Sequence, residues 1–171
     1  ETLVSDAVRS LEAFASSGDV SVIILYLRIA SGLRWTLVQM LTLFSDGDHG
    51  QIYTTEGSQL ITVQGYDLKG SQRIPLVILI GRDTEGLPEV MAAALQARQR
   101  ATIIGQQTKG NVESFVDFVL PDGSRLSVMT SAYLSPSGQE VGIDGVQPDL
   151  RASLDCDQIS ESNDPVRSTA L

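Results

Sequence analysis

The residues that could do chemistry gather at one turn of this chain. Residues 74–110, IPLVILIGRDTEGLPEVMAAALQARQRATIIGQQTKG, open on an apolar, β-branched run at 75–80 with the length of a buried strand. The run breaks at a polar turn, residues 81–86, and a helix follows. Pro88 fits its first turn, Glu89 suits its positive end, and Val90, Met91, Ala94, Leu95 and Arg98 recur at helical spacing. Residues 101–104 form a second short strand. Unpaired backbone N–H groups can hold an anion where a buried strand feeds a helix N-terminus, so a site is expected at residues 83–87.

Other reactive side chains are few. His49 is the single histidine, which rules out a His-rich metal site and would route any Ser-His-Asp triad through that one residue. It lies in Ser45-Asp46-Gly47-Asp48-His49-Gly50, a composition that predicts an exposed turn. Cys156 is the single cysteine, so an internal disulfide is excluded and the redox compartment stays open. No metal-ligand cluster or phosphate-binding glycine pattern occurs, and no metal or nucleotide cofactor is implied.

The elements that must position the turn form an α/β alternation. Residues 2–17 are an amphipathic helix with Leu3, Ala7, Leu11, Phe14 and Ala15 along one stripe. Residues 20–27, VSVIILYL, are a continuous apolar strand, expected to be central. After a turn at 28–32, residues 35–44 read as a helix with Leu37, Val38, Leu41 and Phe44 inward. This order predicts a mainly parallel sheet flanked by helices. Two β-hairpins are added: one over 51–64 at the sheet edge, and one with arms 112–120 and 125–133 around Pro121-Asp122-Gly123. Further turns fall at 136–138 and 142–148.

With 171 residues, 42% of them apolar, the chain suits one well-buried domain, placed at 1–154. The polar stretch 155–171 reads as a flexible C-terminal tail. Net charge is -9, with no long basic cluster, which makes nucleic acid and anionic membrane surfaces poor partners. No stretch approaches the roughly 18 apolar residues of a membrane span. A chain opening on Glu1 is expected to be a processed protein or an excised domain.

Residues 20–150 resemble the catalytic core of the tail-specific, or C-terminal processing, serine peptidases, a family on the ClpP/crotonase-like fold. The resemblance rests on VIILYLR, on PLVILI followed by a polar turn and EVMAAALQ, and on RATIIG. It continues through a Thr and a Lys-Gly, LPDGSRLSVMTSAYLSPSG and GVQPDL. It implies an extended peptide or unstructured protein C-terminus as ligand, aligned by strand addition beside the turn. It also implies a PDZ domain in a longer precursor, an extracytoplasmic setting, and an oligomer as one option.

The catalytic motif is degenerate by the same resemblance. Registered on Pro75 and Glu89, the family's Ser-Ala-Ser-Ala-Ser-Glu falls on Thr84-Glu85-Gly86-Leu87-Pro88-Glu89, and Gly86 takes the nucleophile position. The general base of the family's Thr-Phe-Gly-Lys-Gly corresponds to Lys109, although an ungapped register would select Asn111. Glu113 stands where the family has a glutamine that orients the lysine, and a carboxylate beside Lys109 would favour the ammonium form. The family's glycine-rich oxyanion turn corresponds to Ile29-Ala30-Ser31-Gly32-Leu33, with Gly32 retained and Tyr26 replacing the strand's aspartate. Ser31, Gly32, Gly86 and Leu87 are therefore the expected peptide contacts.

Thr84 is a candidate relocated nucleophile, with capping or a turn hydrogen bond as its plainer role. A solvated loop position is the plainer role for Lys109, and helix-dipole placement for Glu89. Three readings follow: a domain of this family that binds peptide without cutting it, an active peptidase using Thr84 or a residue supplied by another subunit with Lys109 as base, and a structural or oligomerisation module.

Overall fold

A computed structural model describes residues 3–18, 20–30, 34–142 and 144–152. Ser31, Gly32 and the tail expected at 155–171 lie outside the described residues. The element order is α1 (Leu3–Ser17), β1 (Ile23–Tyr26), α2 (Arg34–Phe44), β2 (Gly47–Thr54), β3 (Gly57–Val63), β4 (Leu76–Ile80), α3 (Leu87–Ala97), β5 (Ala101–Gly105), β6 (Ser114–Val119), β7 (Arg125–Leu134) and β8 (Leu150–Arg151). Among the described residues no helix is long and apolar enough to cross a membrane.

The continuous apolar runs become the parallel sheet, in the order β1-β4-β5-β8. Burial follows the pairing. β4 and β5 have neighbours on both sides, and Ile78, Leu79, Ile80, Ile103 and Ile104 are almost wholly buried. The VSVIILYL run was expected to be central, but β1 is an edge strand of four residues, with β4 as its neighbour. An edge strand is buried on fewer sides, and Tyr26 is exposed.

Both expected hairpins form, but they do not extend the parallel sheet. They pair with each other through β2 and β7 into a second, antiparallel sheet in the order β3-β2-β7-β6. The main core lies between the layers, where Leu37, Met40, Leu41 and Phe44 of α2 meet Val90, Met91 and Leu95 of α3. Burying such aliphatic side chains contributes about 1.5–3 kcal/mol each. Two expected inward positions, Phe14 and Val38, are exposed instead. α1 packs against α2; Leu11 is buried and Phe14 is exposed.

His49 is the largest departure from the sequence reading. It is fully buried and belongs to β2 rather than to an exposed turn. Gly47 and Gly50 are strand positions with φ of 89° and 98°, the first just before and the second within a register irregularity between Asp48 and Gln51. Turn-like composition here encodes a bulged strand. The His49 Nδ1–H donates to Gly47 O at 2.8 Å, its backbone carbonyl accepts from the Tyr133 hydroxyl at 2.7 Å, and its Nε2 has no hydrogen-bond partner among the described residues.

Two arginines beyond α3 bind the layers. Arg98 donates to the carbonyls of Asp46 and Asp48 at 2.5 and 2.8 Å. Arg100 donates to the carbonyls of Phe44, Ser71 and Ile74 at 2.8, 2.6 and 2.9 Å, satisfying chain ends that lie outside any ladder.

Arg100→Ala strands three carbonyls, and we expect the urea-unfolding free energy to fall by about 3 kcal/mol, with Arg100→Lys recovering less than half. Burial lowers the pKa of His49 below its ordinary 6.5. The unfolded chain therefore takes up a proton that the folded state resists. The stability contribution is complete above about pH 6.5 and declines as the pH falls from there towards the folded-state pKa, where it levels off. Urea midpoints between about pH 7 and 5 should show this decline in the wild type and a flatter profile in His49→Gln.

Candidate functional site

The turn after β4 is fixed by a side chain that looked available for chemistry. Thr84 is fully buried; its hydroxyl donates to Leu27 O at 2.7 Å and accepts from the Gly81 N–H at 2.9 Å. The Glu85 N–H donates to Ala30 O at 3.2 Å, so the turn is tied to the segment that follows β1. Gly86 caps α3, not Thr84. With its proton committed to a carbonyl and no exposure, the Thr84 hydroxyl is not presented to a substrate.

Glu89 does more than face the positive end of α3. Its side chain is fully buried and accepts from three backbone N–H groups: Gly86 at 2.9 Å, Gly110 at 2.7 Å and Asn111 at 3.0 Å. The carboxylate joins the turn to the loop between β5 and β6. Gly110 makes this approach possible, because its φ is 76° and a Cβ would fall 2.6 Å from Gly142 O. The helical position of Glu89 was legible in the sequence, whereas its partners, 21 and 22 residues away, were not.

Gly86 has φ 72° and ψ -130°, and the nearest atom to a Cβ placed there is Asn111 O at 3.9 Å. It lines a cavity of about 280 Å³ with Leu87, Val90, Asn111, Glu113 and Tyr133. Gly86 and Leu87 are thus brought together, with the Gly86 N–H already used by Glu89. Lys109 lies elsewhere. It is half exposed, its Nζ donates to Glu85 Oε2 at 3.2 Å, and it lines a different cleft with Arg82, Asp83 and Arg151. The carboxylate beside Lys109 is therefore that of Glu85 and not Glu113. Glu113 packs against Gly142, where an added Cβ would fall 1.4 Å from its Oε1. Lys109 is thus held to the turn by Glu85 and is not among the residues that line the Gly86 cavity.

A model of peptidase family S41 matches residues 3–152. The chain belongs to that family. It is 32% identical over 160 residues to the chloroplastic carboxyl-terminal-processing peptidase 3 of Arabidopsis thaliana, covering 90% of this chain and 30% of that protein. It is 29% identical over 156 residues to the carboxy-terminal processing protease CtpA of Bacillus subtilis, covering 88% of this chain and 32% of that one. Among solved structures, a photosystem II D1 C-terminal processing protease superposes with a TM-score of 0.73 at 28% identity, over 87% of this chain and 39% of that chain. A peptidase structure from Parabacteroides merdae gives 0.77 at 16% identity, over 94% and 54%, and shows the shared fold. The chain thus spans about a third of the length of these two curated relatives.

Glu89→Ala leaves three amides of the turn and loop without their acceptor, and we expect unfolding free energy to fall by about 3 kcal/mol. Glu89→Gln retains an acceptor oxygen and should lose about half as much. Limited proteolysis within residues 108–112 should accelerate in Glu89→Ala before the remainder of the domain is cut.

Proposed function

We propose that this S41 domain binds an extended peptide or protein C-terminus beside Gly86 and does not cleave it with a serine-lysine dyad. One observation carries the reading: position 86 has no side chain, and Lys109, which the resemblance pairs with the family base unless the register runs ungapped to Asn111, lines a different cleft and is paired with Glu85. The residue facing Gly86 is Asn111, through its backbone carbonyl. The cavity between α3 and the antiparallel sheet retains apolar walls at Leu87, Val90 and Val112 and polar backbone at the turn, features suited to an extended chain.

The alternative peptidase reading assigns attack to Thr84. The two hydrogen bonds and complete burial of Thr84 weigh against it.

An unstructured fluorogenic peptide with an apolar C-terminus should bind saturably and remain uncut. Gly86→Ser alone should add no turnover, because the new hydroxyl would face Asn111 rather than an amine. Turnover by the wild type that both Thr84→Ala and Lys109→Ala abolish would overturn the proposal.

A further inference from the structure

The β6–β7 hairpin runs beyond the sheet it belongs to. β7 pairs with β2 only over residues 131–134, whereas its pairing with β6 continues from Ser131 to Arg125. Residues 115–130 therefore form a two-stranded arm with no third strand on either edge among the described residues. A ribbon of two strands is marginal in water unless one of its faces packs on something.

Strand alternation sorts the arm into two unlike faces. Ile52 and Tyr133 pair across β2 and β7, and Tyr133 is buried in the main core. Ser131 lies two residues from Tyr133 and pairs with Ser114, so Ser114 stands on the core side of the sheet. Val116 and Phe118 follow at the same alternation, opposite Val128 and Leu126. With Leu120 at the next step, this face is made of apolar side chains and carries no charge. Each of these residues is 38–51% exposed, so the core side of the sheet runs out past the layers that cover it elsewhere. The opposite face mixes Phe115, Val119 and Met129 with Asp117, Ser127 and Arg125, and there the Ser127 hydroxyl donates to Asp117.

Charge decides which occupant fits the apolar face. The chain carries -9, and like charges oppose the approach of two copies through acidic surface. Residues 114–130 hold only Asp117, Asp122 and Arg125 as charged groups; the first and last belong to the opposite face, and Asp122 sits in the turn. A second copy can meet this face without opposing like charges, whereas a charged partner would find no group there to pair with. Size agrees with a reversible contact: covering these half-exposed side chains on two copies removes about 600 Å² from water, less than a stable interface buries.

We propose that the apolar face of the β6–β7 arm packs against the same face of a second copy of this chain, forming a two-fold symmetric dimer. Each arm supplies the layer that the other lacks, and Phe118 lies at the middle of the contact. Ser114 and Ser131, at the base of the arm, also line the Gly86 cavity, which sets the partner copy at that cavity's edge.

Sedimentation velocity from about 1 to 200 μM should show a monomer–dimer equilibrium with a Kd of about 10 μM, in keeping with a small interface. Phe118→Lys puts a charge in the middle of the face and should weaken dimerisation by about tenfold or more. Phe115→Lys, the same change on the opposite face, should shift it by less than about twofold. A chain that stays monomeric throughout, a dimer that Phe118→Lys leaves intact, or equal weakening by both substitutions would overturn the proposal. Hydrogen exchange in the wild type needs no variant and decides the matter where Phe118→Lys fails to fold. Amide protection in residues 114–130 should rise from the dilute to the concentrated sample. Protection that does not change with concentration, as when another part of the chain covers the arm or nothing does, would overturn the dimer.

Discussion

The buried carboxylate of Glu89 is the constraint from which the rest of the site follows. A carboxylate removed from water must be saturated with donors, and here the first turn of α3 and the loop after β5 supply them through backbone N–H groups. Its place in the first turn also sets it against the positive end of the helix. The geometry that satisfies Glu89 decides what the turn can offer. The Gly86 N–H is occupied, Asn111 is drawn opposite Gly86, and Lys109 is directed towards Glu85.

The two sheets are connected by fewer direct ladders than a single sheet would provide, and cations take up the difference. Arg98 and Arg100 follow α3, and their side chains satisfy carbonyls at the end of α2, at the start of β2 and in the segment before β4. Each guanidinium serves several acceptors at once through its fork of N–H donors. His49 lies at the same junction, held at its own backbone by Tyr133 from β7. The helix that presents the site and the antiparallel sheet that walls it are therefore mutually positioned by hydrogen bonds to main-chain oxygen as well as by apolar packing.

What the sequence disclosed follows from how local each signal is. Continuous apolar runs predicted β4 and β5, three-to-four spacing predicted α3, and Pro121-Asp122-Gly123 predicted the β6–β7 hairpin, because each depends on neighbours within a few residues. Sheet membership depends on distant pairing, so the sequence reading puts β1 at the centre and the 51–64 hairpin at the edge of the parallel sheet, whereas that hairpin belongs to the antiparallel one. Glycines flanking His49 carried the same composition as a turn while forming a bulge in a buried strand. The partner of Lys109 was sought four residues along the chain, at Glu113. The fold instead brought Glu85 from the turn, since a loop lysine meets whatever the tertiary structure places beside it.

Backbone strain at position 86 bears on why glycine suits this turn. A φ of 72° combined with a ψ of -130° is a conformation that glycine adopts freely, and any other residue is held there at a cost of about 1–3 kcal/mol. An enzyme that attacks from this position must sustain that strain in order to project a hydroxyl over its cavity. A domain that only binds gains stability by relinquishing the side chain, provided the hydrogen bonds that shape the turn survive. Here they do, because Thr84 and Glu89 hold the turn through its backbone and neither requires a side chain at position 86. The shape of the cavity beside Gly86 thus does not depend on a side chain at position 86, which makes the proposed binding without cleavage a physically stable combination.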